Sequence, residues 1–137
     1  MREMLSSLAP YLLSLLRIVL ALLFIKYGSM KLFGFPPSEQ FANLKLLTLV
    51  GLAGVLELVG GLFLLLRLFT RPTAFVLSGL MSAAYFIAHA SRSFFPGLNM
   101  GEAAVIYCFL FLYLAAVGGG PWSVGRLLEY RESRYPV

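Results

Sequence analysis

The sequence is poor in charged residues, and this shortage excludes an ordinary soluble domain. Only 12% of its 137 residues are charged, whereas 60% are hydrophobic. A typical soluble domain carries about 25% charged residues. The composition therefore predicts an integral membrane protein, and the length suits one compact domain.

Cysteine and histidine are almost absent, which removes further classes of function. The single cysteine, Cys108, lies in an apolar run, so neither an intramolecular disulfide nor a CxxC redox pair can form. The single histidine, His89, and two distant glutamates suit zinc poorly, because zinc sites usually take several His or Cys ligands. No metal site is predicted. With no haem-type histidine pair, phosphate-binding loop or nucleophile–base set, the catalytic residues stay unknown.

The net charge of +5 would suggest a nucleic-acid partner in a soluble protein. In a membrane protein it fits basic cytoplasmic ends that face anionic lipid headgroups, so no nucleic-acid partner is predicted. One set of ends and loops collects Arg2, Arg67, Arg71, Arg126, Arg131 and Arg134. The other set collects Lys31, Lys45 and Arg92. The positive-inside rule then predicts a multi-pass membrane protein with both termini in the cytoplasm.

Long apolar runs separated by short connections predict the fold. The predicted spans cover residues 11–33, 45–66, 73–91 and 101–117. Because short loops make successive helices antiparallel, the predicted fold is an all-α, four-helix antiparallel bundle in the membrane. The first run is expected to be retained, since Arg17 interrupts it and no cleavage site follows. Residues 1–137 form a single predicted domain, and 122–137 an amphipathic cytoplasmic tail.

The second span carries the most informative residue, because an acid lies near the middle of an apolar run. Glu57 at that depth costs roughly 2.5–3.5 kcal/mol on insertion scales, so it is expected to face a partner or a polar cavity. Gly51, Gly54 and Gly61 fall on the same helical face, at spacings of three and four. Small residues there allow close approach of another helix. This face is predicted to be the one around which the chain packs.

Basic residues of the first span supply candidate partners for that acid. Arg17 and Lys31 share a helical face. Counted from the cytoplasmic ends of the spans, Arg17 lies at about 9 Å and Glu57 at about 14 Å, using a rise of about 1.5 Å per residue. We therefore predict an Arg17–Glu57 ion pair. Lys31, at the helix end, is equally well explained by a lysine that reaches lipid headgroups.

A second polar cluster is predicted toward the outer ends of the spans. Ser78, Ser82, Tyr85 and His89 form one stripe of the third span, which is expected to face the interior. Lys31 and Glu102 come to a similar depth as Tyr85 and His89. Glu102 has a second explanation, because it could close a capping box with Asn99 at the start of the fourth span.

Two interpretations of these polar groups remain open. In the first they only join helices, each bond contributing roughly 0.6 kcal/mol. In the second they line a pocket for a ligand with a polar head and an apolar body, because intramembrane charges usually have a function. The candidate ligand-binding residues are Arg17, Lys31, Glu57, Tyr85, His89 and Glu102.

A family resemblance covers nearly the whole chain. Its motifs are, in order, Arg17, residues 28–31 (GSMK), 57–61 (ELVGG), 70–72 (TRP) and 120–123 (GPWS). In this order and spacing the chain resembles the DoxX family of four-helix bacterial membrane proteins, which implies a place in the bacterial cytoplasmic (inner) membrane. One departure is the absence of the Ser-x-Asp that often follows the C-terminal Gly-Pro, since Ser123 is followed here by Val and Gly.

The resemblance implies a link to membrane oxidoreductases, as in the DoxD subunit associated with thiosulfate:quinone oxidoreductase. The leading hypothesis is a redox-associated membrane protein that binds a quinone or similar amphipathic ligand and works with a membrane or peripheral oxidoreductase partner. Arg17 and Lys31 would stabilise a reduced oxygen, while Glu57 and His89 would move protons. Whether the chain is itself an enzyme stays open. The alternatives are a non-enzymatic scaffold and a small transporter or channel opened by homo-oligomerisation.

Overall fold

A computed structural model describes residues 1–124, which are helical throughout their regular structure and contain no strand. The part of the predicted tail beyond residue 124 lies outside the described residues. In chain order the elements are α1 (Arg2–Phe33), a 3₁₀ turn (Glu39–Phe41), α2 (Leu49–Leu66), α3 (Thr70–Ala84), a π-helical segment (Tyr85–His89), α4 (Pro96–Asn99) and α5 (Glu102–Val117). The all-helical prediction is therefore confirmed.

The first helix is longer than predicted at its N-terminal end. It begins at Arg2 rather than near residue 11 and continues through Pro10. Proline favours the first turn of a helix, because inside a helix it removes one backbone hydrogen bond. The C-terminal end agrees with the prediction, because Gly34 adopts the left-handed conformation (φ 67°) that commonly ends a helix.

The following helices begin and end at recognisable local signals. The Thr48 hydroxyl accepts a hydrogen bond from the Gly51 amide at 3.3 Å, so α2 starts four residues later than predicted. Its C-cap is Arg67 (φ 58°). α3 begins at Thr70, three residues early, because Pro72 is tolerated in a first helical turn. The π-helical segment was not predicted, since an apolar pattern does not reveal one wider turn.

Within residues 1–124, three helical stretches are long and apolar enough to cross a membrane. They are α1, α2 and the continuous stretch Thr70–His89 formed by α3 and the π-helical segment. α5 is apolar too, but its 16 residues make it shorter. These lengths and compositions confirm that a lipid bilayer is the environment of the chain.

Glycines bring α1 and α2 into near contact as an antiparallel pair. A Cβ at Gly61 would lie 2.9 Å from the Ala21 carbonyl oxygen, and a Cβ at Gly28 would lie 2.6 Å from the Leu58 nitrogen. At Gly54 it would lie 2.9 Å from Cβ of Lys31. The predicted glycine face of the second span is therefore the face on which α1 packs.

The core lies where this pair meets α3 and α5, which run antiparallel to each other. Phe24 is its central aromatic residue, with its ring edge-to-face against Tyr107 at 5.1 Å and Phe111 at 4.6 Å. The buried apolar residues of the core are Leu20, Ala21, Phe24, Leu64, Ala74, Leu77, Met81, Phe111 and Leu114. The packing of α2 against α3 is much less extensive than the packing of α1 against α2 or of α3 against α5.

Candidate ligand site

An ion pair between a buried glutamate and a partly buried lysine joins α1 to α2. The Lys31 Nζ donates to both carboxylate oxygens of Glu57, at 2.6 and 2.7 Å. The Glu57 side chain is 4% exposed and the Lys31 side chain 12% exposed. Charge-assisted bonds of this length are among the strong ones in proteins. Glu57 is therefore the buried acid that the sequence singles out, and Lys31 is its partner.

Local features of three segments build this pair. Lys31 lies in the last turn of α1, where a cation is favoured by the helix dipole. Gly54 has no side chain, so the Lys31 stem can pass along α2 and reach Glu57 one turn further on. The ring centroid of Phe41, from the 3₁₀ turn, lies 5.4 Å from the Lys31 Nζ. The pair is thus held between two helices and covered by the first loop.

The predicted Arg17–Glu57 pair is wrong. Arg17 lies opposite Leu64 near the other end of α2, while Glu57 lies opposite Lys31. The depth count placed the inner end of α1 at residue 11, but α1 continues outward to Arg2. Residue 11 therefore is not level with the end of α2, and the offset between the helices puts Arg17 out of register with the acid.

Arg17 instead joins three backbone segments. Its guanidinium donates from Nη1 to the Leu64 carbonyl at 3.1 Å and from Nη2 to the Trp122 carbonyl at 2.7 Å. The Trp122 amide in turn donates to the Ser14 hydroxyl at 3.1 Å. The Arg17 residue is only 1% exposed. This clamp fastens the C-terminal end of α2 and the segment after α5 to α1.

The glycines after α5 make room for the clamp. A Cβ at Gly119 would lie 2.8 Å from Cδ of Arg17, and a Cβ at Gly120 would collide with the Ser14 hydroxyl. Gly120 also has a positive φ of 77°, which favours glycine. The Arg17–Trp122 contact was not predicted. Its sequence signal is the glycine run at 118–120, which allows a backbone to approach a buried side chain.

Asn99 is the centre of a second polar cluster at the end of α3. Its amide nitrogen donates to the Tyr85 hydroxyl at 3.2 Å and to the Ser93 carbonyl at 2.6 Å. Its side-chain oxygen accepts a hydrogen bond from the backbone N–H of Gly101 at 2.8 Å. The Tyr85 hydroxyl also donates to the Phe94 carbonyl. Asn99, considered from the sequence only as a helix cap, therefore holds the loop between the π-helical segment and α5.

The predicted outer cluster is divided by the structure. Tyr85 and His89 do belong to one cluster, because both contact Asn99. The His89 Nδ1 lies 3.0 Å from the Asn99 backbone carbonyl oxygen. Lys31 belongs to the Glu57 pair instead. Glu102 is exposed, and it is the first residue of α5, whose N-cap is Gly101 with no side-chain cap. The capping box with Asn99 is therefore not formed.

The polar stripe of α3 faces the interior as predicted. Ser78 and Tyr85 are buried, while Ser82 and His89 are half-buried. The Ser78 hydroxyl donates to the Cys108 carbonyl at 2.8 Å, which links α3 to α5. In the part of the chain up to residue 124, no three His, Cys, Asp or Glu side chains lie close enough to hold a metal ion.

Together, the apolar helices, the buried ion pair and the arginine clamp define a small helical membrane protein with charges inside its helix packing. The chain belongs to the DoxX family, whose sequence profile matches residues 12–90. The resemblance inferred from the motifs is thus confirmed. The match includes Arg17, Lys31, Glu57 and the whole stripe of α3.

Two relatives extend over most of the chain. An uncharacterized protein of Haemophilus influenzae is 44% identical over 119 residues, which cover 81% of this chain and 86% of the relative. The inner membrane protein YqjF of Escherichia coli is 32% identical over 117 residues, which cover 82% of this chain and 88% of the relative. No solved structure matches the chain.

Proposed function

We propose that this protein binds a quinone or a similarly amphipathic ligand at the Lys31–Glu57 pair, as part of a membrane oxidoreductase system. In this proposal α5 is a fourth span, and both termini face the cytoplasm, because Arg2, Arg67 and Arg71 lie at one end of the helices. The bacterial inner membrane is the proposed location, since the Escherichia coli relative is named an inner membrane protein.

The observation that carries the proposal is the unused donor of Lys31, whose side chain is mostly but not fully buried. A lysine ammonium has three N–H donors, and Glu57 accepts two of them. No other residue up to position 124 accepts the third. The 12% exposure of the Lys31 side chain gives a ligand oxygen access to it. A quinone carbonyl is such an acceptor, and Phe41 offers an aromatic face beside it.

The pair also suits the two states of a quinone. A carbonyl oxygen that gains electrons becomes negatively charged, and an ammonium within hydrogen-bond distance stabilises that charge. Glu57 is then the nearest carboxylate that can exchange a proton with the head group. Electrons would come from a partner oxidoreductase, because the chain has no redox cysteine pair.

The other candidate residues receive different roles in this proposal. Arg17 uses both terminal nitrogens on backbone carbonyls, so it positions helices rather than ligand. Tyr85 holds the loop between the π-helical segment and α5 through Asn99. His89 is half-buried at the outer end and would exchange protons with the surface. Glu102, exposed at the start of α5, would contribute only a negative charge at that end of the helices.

The test is a lipid-preserving purification followed by mass spectrometry of extracted small molecules and an ultraviolet redox difference spectrum. We expect quinone near stoichiometry in the wild type and its loss in Lys31→Met and Glu57→Gln. Lys26→Met is the matched control, because Lys26 is an exposed lysine of α1 that lies over the Tyr27 ring. Recovery of bulk lipids alone from the wild type would contradict the proposal.

A scaffold function is the second candidate, and the Arg17 clamp favours it. The strongest bonds of Arg17 and Asn99 go to backbone atoms of neighbouring segments, which is what a purely architectural role requires. A scaffold would retain a co-purifying protein partner in the wild type and lose it in Arg17→Met. Quinone would then be absent from both preparations.

A further inference from the structure

An open apolar groove runs along the seam between α2 and α3, on the opposite side of α2 from α1. Its volume is about 350 Å³. We name it the α2–α3 groove; its lining residues are Leu56, Val59, Gly60, Phe63, Phe69, Pro72, Thr73, Val76 and Leu77. Thr73 is the one lining residue with a polar side chain.

The groove exists because a short turn joins α2 to α3 at one end, while the two helices pack loosely along their length. Toward the middle of the helices, a Cβ at Gly60 would lie 3.0 Å from both methyl carbons of Leu77, so the helices touch there. Toward the turn, the rings of Phe63 and Phe69 have centroids 6.3 Å apart and leave the seam open. From Leu56 to Phe63 the groove extends about 10 Å along α2, at about 1.5 Å per residue.

The groove cannot remain empty in a bilayer. Empty space would deprive its lining atoms of dispersion contacts. Water is a poor occupant, because it needs two to four polar partners and the lining offers one hydroxyl. The occupant must therefore be an apolar chain or an apolar side-chain surface.

The end of the groove at the α2–α3 turn is basic. Arg67 is the C-cap of α2 and is half-buried, and Arg71 is exposed in the first turn of α3. Arg71 lies beside the end of α5, where its Nε is 3.6 Å from the position of a Gly118 Cβ. Phe69, which is 73% exposed, lies two residues from each arginine in the sequence of the turn and lines the groove. Exposed aromatic and basic residues together are typical of the headgroup depth of a membrane.

From this combination we infer that the α2–α3 groove binds one acyl chain of an anionic phospholipid whose phosphate lies at Arg67 and Arg71. The apolar lining alone would not select a ligand, since lipid tails are as apolar as the groove. The two guanidinium groups supply the selection, because long arginine side chains reach headgroups above their own position. This site is separate from the Lys31–Glu57 pair and does not depend on its function.

Charge also argues against a second copy of the chain in the groove. A two-fold contact through this seam would bring each basic turn against its own copy, with Arg67 and Arg71 on both sides. Like charges that face each other oppose such a contact. A phosphate headgroup, in contrast, is complementary to the turn.

The test measures lipid binding to the full chain by native mass spectrometry, with phosphatidylglycerol and phosphatidylcholine as probes. We expect one tightly bound phosphatidylglycerol per chain and clearly weaker binding of phosphatidylcholine. The double variant Arg67→Gln/Arg71→Gln should weaken phosphatidylglycerol about 25-fold, at about fivefold for each arginine. Binding of phosphatidylcholine should be unchanged. Arg92→Gln, an exposed arginine at the opposite end, is the matched control.

A second pair of variants tests the groove itself. Val76→Trp fills it, and Val59→Phe is a milder alternative should the first fail to fold. Both should abolish the tight phosphatidylglycerol site. Val55→Trp is the control, because Val55 is a similarly exposed valine of α2 that does not line the groove.

Four outcomes would overturn the inference. They are equal binding of the two lipids, an equal loss in Arg92→Gln, undiminished binding in both groove-filling variants, and a change of oligomeric state in those variants without loss of lipid. The last result would identify a second copy as the occupant.

Discussion

Arg17 and Glu57 are both buried ionisable residues, yet they are stabilised in different ways. Glu57 has a charged partner, whereas Arg17 has backbone carbonyls and no carboxylate within the described chain. Among the residues up to position 124, the Arg17 Nε and the nearby Thr70 hydroxyl are buried and find no hydrogen-bond partner. Buried polar atoms without partners reduce stability. The clamp is therefore a site where a small change should have a large effect.

Replacing Arg17 tests that effect. Arg17→Met removes two charge-assisted bonds and leaves the Leu64 and Trp122 carbonyls without their partner, so the free energy of unfolding should fall by about 2–4 kcal/mol. Arg17→Lys should retain only part of that free energy, because an ammonium group lacks the planar fork of donors that reaches both carbonyls. Denaturation in mixed micelles measures both values. Equal stability of Arg17→Met and the wild type would show that the clamp is dispensable.

The Lys31–Glu57 pair predicts strong coupling between two substitutions. Lys31→Met or Glu57→Met alone leaves one buried charge unpaired, which should cost about 3–5 kcal/mol. The double variant should be markedly more stable than the sum of the single losses implies, because no charge then remains. A double-mutant cycle measures the coupling. Strictly additive losses would mean that the two side chains do not interact in the membrane.

At the scale of the helices, the close contact of α1 with α2 depends on glycine. Gly61 and Gly28 lie so near the opposite backbone that a methyl group would force the helices apart. This contact also sets the register in which Lys31 meets Glu57. The spacing of glycines in the sequence indicated the face, and the structure adds which helix covers it.

Matched alanine substitutions separate packing from helix propensity. Gly61→Ala should destabilise the protein by about 1–3 kcal/mol, since its Cβ would meet the Ala21 carbonyl and Ile25. Gly79→Ala should be neutral or stabilising by up to about 1 kcal/mol, because nothing lies within 4 Å of its added Cβ and alanine favours helix. Thermal unfolding of the two variants in the same detergent makes the comparison. Equal changes in the unfolding temperature of Gly61→Ala and Gly79→Ala would argue against a close α1–α2 contact.

Helix ends show what local signals can and cannot reveal. The stop at Gly34 was predictable, because left-handed glycine and the following prolines end a helix locally. The start of α1 was not predictable. Proline is accepted in the first turn of a helix, but a long helix also tolerates it inside, as α1 does at Pro10. That one ambiguity produced the wrong depth for Arg17 and hence the wrong partner for Glu57.

At the scale of the whole molecule, the basic residues predict an orientation. In a Cys108→Ser background, a cysteine at Ser6 should react with a membrane-impermeant thiol reagent only after the inner membrane is opened. Lys45→Cys, in the connection between α1 and α2 that is proposed to lie outside, should react in intact spheroplasts. The reverse pattern would place the termini outside. Labelling of both sites from one side would contradict the proposed arrangement of spans.

By itself the sequence determined the class of this protein: a helical membrane chain of the DoxX family, with an acid and glycines on one face of α2 and a polar stripe inside α3. These features follow from composition and helical periodicity, which are local properties. The tertiary structure was needed to show that Lys31 pairs with Glu57, that Arg17 binds the segment after α5, and that Asn99 holds the loop before α5. Such pairings depend on how far one helix slides along another, and backbone carbonyls, which accept most of these bonds, are not distinguished by residue type.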